Sequence, residues 1–273
     1  MEGSTGLSLE TKAGVLTRVR ARRGKRPKIR IRFNNQLLSE NSASASVARK
    51  FQRLDGNTWD LEVRHESKFP MGHGYGTSGA GTLGLSIALN ELMNLGLDRD
   101  EVAQIAHLSE ISCRTGLGTV ASALTGGMNL RLVPGAPGYG KTEKIPTPSN
   151  LVIVTATLGP ISTENILTSS SLRMRIKSCG EKSLRNFDRT SPQRSFMEVS
   201  RSFFQCSRLA SSRLTELIGR LGSKGFHSSM VMLGQSLFLL ANADSATDIV
   251  NRIVEDGPSP IVTSIAEKGA ELL

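Results

Sequence analysis

Five of the twelve residues from Pro70 to Gly81 are glycine, and an apolar stretch follows them without a break. In that stretch Leu83, Ile87, Ala88, Leu92 and Leu95 recur at helical spacing. A glycine-rich loop that runs straight into a core helix leaves the chain few arrangements. Glycine lets backbone approach a ligand closely, successive amides can turn inward as a nest, and the helix start adds its positive end. The string Pro70-Met71-Gly72-His73-Gly74-Tyr75-Gly76-Thr77-Ser78-Gly79-Ala80 places that helix start near Gly79, with the hydroxyls of Thr77 and Ser78 beside it. Taken alone, the string is equally consistent with a phosphate cradle and with a flexible turn ahead of a core helix.

Two shorter glycine patterns compete with it. Gly135-Ala136-Pro137-Gly138-Tyr139-Gly140-Lys141-Thr142 satisfies G-x-x-x-x-G-K-[ST]. That pattern cradles phosphate only where a helix starts at the lysine, whereas Pro146 and Pro148 follow here and Pro137 removes an amide. It reads as a coincidence in a linker. Gly74-Tyr75-Gly76-Thr77-Ser78-Gly79 satisfies G-x-G-x-x-G, but the acids about 20 residues on, Asp98 and Asp100, sit at a helix start with no strand between, so the dinucleotide reading is weak.

The remaining pattern is mixed. Residues 7–20 read as a strand pair around Lys12-Ala13-Gly14, Lys28–Phe33 as a half-buried strand, Val47–Leu54 as a short helix and Thr58–His65 as a strand. Asp98 with Glu101 three residues on is a capping box, opening a helix that carries Glu110 near its end. Met128–Val133 and Leu151–Leu158 read as strands, Ser195–Leu221 as one helix or two, and Ala246–Val254 as a helix. The Gly- and Pro-rich stretch 135–148 suggests one division near residue 150 and two α+β domains, 1–150 and 151–273.

Composition narrows the class. The 273 residues are 38% hydrophobic, enough for a real core, and no apolar run reaches membrane-helix length. With no apolar region behind its first residues the chain is expected in the cytoplasm, with no membrane partner. Cys113, Cys179 and Cys206 form no CxxC pair and are odd in number, so three reduced thiols are expected. Net charge is +10, much of it between Arg18 and Arg32. The alternation there favours a solvated strand face over a nucleic-acid patch, and at 4% aromatic residues no base-stacking motif interleaves with the charge.

The segment from Pro70 to Ala80 resembles the second motif of the GHMP kinases, and Gly76-Thr77-Ser78-Gly79-Ala80-Gly81-Thr82-Leu83-Gly84 is similar to that loop in the archaeal pantoate kinases. The likeness continues in order through Ser109-Glu110, Thr115-Gly116-Leu117-Gly118, Pro134-Gly135-Ala136-Pro137-Gly138, Gly159-Pro160-Ile161-Ser162-Thr163, Met232–Phe238 and Glu267-Lys268-Gly269-Ala270. It implies the two-domain α+β GHMP kinase fold, with an N-terminal domain of the ribosomal S5 domain 2 type that binds ATP and a ferredoxin-like C-terminal domain. It implies phosphorylation of the 4-hydroxyl of pantoate by ATP with Mg2+, in coenzyme A biosynthesis, and a homodimer. Carried over residue by residue, Gly72, Gly74, Tyr75, Gly76, Thr77, Ser78, Gly79, Ala80 and Gly81 would cradle the triphosphate, and Ser78 and Glu110 would hold Mg2+ or phosphate. Arg131 would help bind substrate, pairing with a carboxylate. Without the flanking motif, Glu110 reads as a solvent-facing helix residue and Arg131 as a polar-face strand residue.

Two departures stand out. The family writes Gly-Leu-Gly-Asp, and that aspartate is a candidate base for the attacking hydroxyl; this chain has Thr119 there, which cannot take a proton at neutral pH. Family members also carry a short N-terminal stretch with a first strand and a histidine motif, and the chain is expected to lack that strand. A GHMP kinase for another small alcohol, and a non-catalytic protein that binds nucleotide or nucleic acid, are the alternative readings.

Overall fold

In the computed structural model of the chain, which describes residues 2–161, 166, 168–255 and 257–273, contacts divide the protein into two compact units. The first comprises Met1–Phe69, Gly76–Lys144 and Glu267–Leu273; the second comprises Pro70–Tyr75 and Ile145–Ala266. The chain crosses at residues 144 and 145, inside the Gly- and Pro-rich stretch. Beyond the single crossing read from sequence, six loop residues pass to the second unit and the last seven return to the first.

The first unit holds two sheets. One has the order β2 (Leu16–Arg23), β5 (Trp59–Glu66), β3 (Lys28–Phe33), β4 (Gln36–Leu37), with β3 parallel to β5 and the other pairs antiparallel. Strand β3 keeps the bounds its alternation predicts. It turns into β4 through Asn34 and Asn35, both at positive φ (44° and 70°), the two-residue geometry that asparagine tolerates best after glycine. The other sheet has the order β1 (Gly6–Leu9), β6 (Met128–Val133), β7 (Lys141–Ile145). The expected pair within residues 7–20 is thus corrected: β1 pairs antiparallel with β6 and β2 with β5. Val19 and Ala21 of β2 pack against the core under the four-stranded sheet, and that long-range packing takes β2 away from β1.

Four helices complete this unit: α1 (Ala43–Asp55), α2 (Thr77–Met93), α3 (Arg99–Ser112) and α4 (Thr119–Thr125). Helix α1 starts four residues earlier than Val47, because Ser42 caps it by accepting from the Ala45 amide. The capping box of Asp98 and Glu101 opens α3 as read. Ile31, Phe51, Leu61, Val63, Leu85 and Leu89 join α1 and α2 to the inner face of the four-stranded sheet. Leu83, Ala103, Ala106, Val120 and Ala123 join α2, α3 and α4.

The second unit is an antiparallel sheet of order β11 (Pro260–Ser264), β8 (Leu151–Pro160), β10 (Gly234–Asn242), β9 (Ser229–Met230). Its helices are α5 (Ser170–Leu184), α6 (Pro192–Ser207), α7 (Ser212–Ser223) and α8 (Ala246–Glu255). The stretch read as one helix or two is two, α6 and α7, and α5 had no sequence signal. Of the Gly159–Thr163 segment, Ser162 and Thr163 lie outside the described residues.

The expectation of three reduced thiols fails. Cys179 of α5 and Cys206 of α6 form a disulfide with their Cα atoms 5.7 Å apart, and Cys113 alone stays a thiol. The pairing of two helices, invisible in a 27-residue spacing, brings the sulfurs together. Closing a loop of that length restricts the unfolded chain by about 3 kcal/mol. Reduction with dithiothreitol is therefore expected to lower the urea midpoint of the second unit, and a Cys179→Ser variant should show the lowered midpoint without reductant.

Candidate functional site

Helix α2 begins at Thr77, two residues ahead of the start expected at Gly79, and its N-cap is Gly76 in the left-handed region (φ 67°) with no side-chain cap. Helices α1, α3, α5 and α7 are each capped by a serine or aspartate side chain. The start of α2, like those of α4 and α6, has no side-chain acceptor, so its first amides keep their donor capacity. Ala80 is the first amide held, by the Gly76 carbonyl at 3.0 Å.

Glu110 of α3 faces this start. Far from pointing to solvent, it is 2% exposed. Its Oε1 accepts from Ser78 Oγ at 2.7 Å and from Thr82 Oγ1 at 3.4 Å. Burial pushes its carboxyl up, and hydrogen bonds from Ser78, Thr115 and Thr82 pull part of the way back. A buried carboxylate served only by neutral hydroxyls suits a bound cation. Among the described residues no cluster of three or more His, Cys, Asp or Glu exists. One carboxylate with a hydroxyl would suit Mg2+, which needs few protein ligands, and does not fit a metal that wants an all-protein cage.

Thr119 opens α4 and lies against the same turn. A Cβ built on Gly76 would come within 2.6 Å of Thr119 Cγ2, and one on Gly79 within 2.7 Å of Thr119 Cβ. Glycine at both positions is therefore the condition for this close approach. Thr119 acts on the loop as a spacer.

Arg131 of β6 sits behind α4. Its guanidinium donates to Ser4 O at 3.2 Å, to Ser8 Oγ at 2.5 Å and to Ser122 Oγ. None of these acceptors is charged. Burial works against its positive charge, and the Glu10 carboxyl acts the other way. A guanidinium removed from water whose hydrogen bonds go to neutral acceptors, with the Glu10 carboxyl near it, can also bind an anionic ligand.

The other predicted loop residues belong to the second unit. Gly72 and Gly74 are at positive φ (79° and 88°), the Gly72 carbonyl accepts from the Ile161 amide at 3.3 Å, and Ser236 Oγ donates to the His73 carbonyl at 3.1 Å. Tyr75 turns its hydroxyl to Thr155 and Thr157 of β8 (2.9 and 2.7 Å). The structure thus gathers Gly76, Thr77, Ser78, Gly79, Ala80, Gly81, Glu110, Thr119 and Arg131 into one unit and Gly72, Gly74 and Tyr75 into the other. The competing pattern around Lys141 opens strand β7, with no helix start to face a phosphate.

Sequence reading missed His65. It is 2% exposed, its Nδ1 lies 2.9 Å from Thr17 Oγ1 and its Nε2 3.1 Å from Ser44 Oγ. A Cβ on Gly81 would meet its ring at 3.3 Å, so the imidazole backs the loop. Burial lowers its pKa from 6.5 to about 4. The unfolded chain then binds the proton more readily between those values. Stability contributed by the neutral ring is complete above about 6.5 and is lost as pH falls towards about 4, by about 3 kcal/mol in all. Urea midpoints at pH 7 and pH 4.5 should converge in His65→Gln relative to the parent chain. Ser4, Ser8 and Ser122 were also missed, since they reach Arg131 from three places in the fold: the segment before β1, β1 itself through its pairing with β6, and helix α4.

A model of the GHMP kinases N terminal domain matches residues 41–127. The pantoate kinase of Thermococcus kodakarensis is 31% identical over 221 residues, covering 80% of this chain and 72% of that protein. The pantoate kinase of Methanocaldococcus jannaschii is 28% identical over 263 residues, covering 96% and 91%. A solved structure described as a phosphotransferase related to the CoA biosynthesis pathway superposes with a TM-score of 0.87 at 26% identity, covering 98% of this chain and 88% of that one.

Proposed function

Because this chain belongs to the GHMP kinases, within the pantoate kinase family, we propose that it transfers the γ-phosphoryl group of ATP to the 4-hydroxyl of pantoate, in coenzyme A biosynthesis. The observation that carries the reading is the uncapped start of α2 facing the buried Ser78–Glu110 pair.

The residues divide the work. Amides at the start of α2, from Gly76 to Gly81, hold the triphosphate, and the positive end of the helix favours the negative charge there. Ser78 and Glu110 hold Mg2+. When bound, that ion would supply positive charge against the phosphates. Arg131 holds the carboxylate of pantoate and fixes the hydroxyl for in-line approach. The oxygen–phosphorus bond to pantoate forms as the bond to ADP breaks, and the hydroxyl proton passes to an oxygen of the transferred phosphoryl group, from which it is released to water. Thr119 takes no proton in this scheme; its neutral side chain spaces the loop. Phosphoryl transfer depends mainly on positioning and charge stabilisation, which these groups supply. Both substrates place the enzyme in the cytoplasm. Among the described residues no helix is long and apolar enough to cross a membrane.

The test is ADP release with MgATP and D-pantoate. Turnover that requires pantoate is expected. In Arg131→Leu the KM for pantoate should rise by roughly 30-fold or more, the effect of removing one member of a buried charge pair. Turnover with another small alcohol and none with pantoate would refute the substrate. Turnover only in Thr119→Asp would mark a scaffold without its base.

A further inference from the structure

The outer face of the β2–β5–β3 sheet carries ionic side chains in register. Two rows put a carboxylate on the middle strand between two cations, Arg22–Asp60–Lys28 and Arg20–Glu62–Arg30. The next row does not. Arg18, Arg64 and Arg32 lie side by side on three adjacent strands, spanning about 10 Å at a strand spacing of about 4.8 Å. Like charges directly opposite each other destabilise a sheet, and Val19, Val63 and Ile31 on the inner face cannot offset them by moving, because they pack in the core.

The counter-charge available is short. Arg64 pairs with Glu62 at 2.9 Å and Arg18 with Glu66, while Arg32 donates to the Asn35 carbonyl at 3.2 Å. Arg20 also bears on Glu62, and Arg30 is taken by Asp60 at 3.6 Å. Four guanidiniums, those of Arg18, Arg20, Arg32 and Arg64, therefore share two carboxylates. Arg18, Arg20, Glu62, Arg64 and Glu66 line a depression between β2 and β5 at one end of the row.

We propose that the Arg18–Arg64–Arg32 row is a binding site for an oligophosphate, a compact ligand with two or more adjacent phosphates. Three planar guanidinium forks suit phosphate oxygens bidentately in a way that lysines would not. The carboxylates of the neighbouring rows confine the positive field to this row and oppose a long polyanion laid across the sheet. The face has no aromatic side chain on which a base could stack, so recognition is of the phosphates alone. The phosphates come either from free oligophosphate or from the tail of a nucleotide.

Calorimetric titration tests this with the α2 loop already saturated by a non-hydrolysable ATP analogue and Mg2+. Tripolyphosphate should bind the parent chain with one further equivalent, more weakly as NaCl rises. The Arg18→Gln, Arg32→Gln, Arg64→Gln triple variant should lose that equivalent while keeping its circular dichroism and its turnover. ADP competing for the equivalent would assign a nucleotide tail; tripolyphosphate binding without such competition would assign free oligophosphate. The site does not exist if no further equivalent binds, if the triple variant binds it undiminished, or if inorganic phosphate binds as tightly. The comparison is between the chain and its own variant, so the result holds whatever the α2 loop binds.

Discussion

Glu110→Gln is expected to cut kcat by about 10²- to 10³-fold, the usual effect of removing one group that stabilises charge in a transition state, and to raise stability at neutral pH. The two signs come from one cause. Burial holds the Glu110 carboxyl above its ordinary value, so the folded chain binds that proton more tightly than the unfolded chain. Stability therefore falls as pH rises out of the ordinary carboxylate range through the raised value, and it stays lowered above it. Glutamine keeps an acceptor for the Ser78 hydroxyl without the charge. Denaturation midpoints of both proteins at pH 4 and pH 7.5 should lie closer together at the acid pH, with the variant ahead at the higher one. A variant that is less stable at pH 7.5, or that turns over like the parent, would show that Glu110 is a structural residue.

The second large effect is steric. Gly79→Ala brings a Cβ to 2.7 Å from Thr119 Cβ and 2.8 Å from Thr119 Cγ2. Neither atom is the end of a flexible chain, so the start of α2 or of α4 must shift, and a displacement of about 1 Å in a phosphate-holding turn costs about 100-fold in rate. Thr119→Gly removes the obstructing atoms. The double variant Gly79→Ala, Thr119→Gly should recover most of the loss, with a large positive coupling between the two sites. Additive losses would mean that Thr119 does not abut the loop in solution.

The parts of this architecture that were legible in the sequence are those with local causes. The alternation of Lys28–Phe33, the capping box at Asp98 and the glycine string before α2 each state their structure within a few residues. Pro146 and Pro148 likewise disqualified the second phosphate pattern. Illegible parts depend on contacts between distant residues. Nothing near Gly6–Leu9 indicates that its partner is Met128–Val133, and the obvious local alternative was a hairpin with the next strand. The same pairing brings Ser8 to Arg131, and the packing of α4 brings Ser122. Cys179 and Cys206 meet only because α5 and α6 pack together. Glu110 was legible as a family position, but its burial against Ser78 and Thr82 was not, since one acidic residue near a helix end ordinarily faces water.

Residues 267–273 return to the first unit, where the Ala270 amide donates to the Ala123 carbonyl at 2.8 Å and Arg99 donates to the carbonyls of Leu124 and Ala270. This sets an order of assembly on the ribosome. Domains generally fold as they are made, N-terminal part first, but here the first unit is interrupted by the second and is completed by residues made after it. The sheet of the second unit has all its strands once Ser264 is synthesised, while the C-terminal end of α4 still waits for its partners. The C-terminal end of the helix that carries Thr119 is therefore secured last, and a nascent chain stalled between Ser264 and Glu267 carries every proposed site side chain while α4 still lacks the hydrogen bond from Ala270 to Ala123.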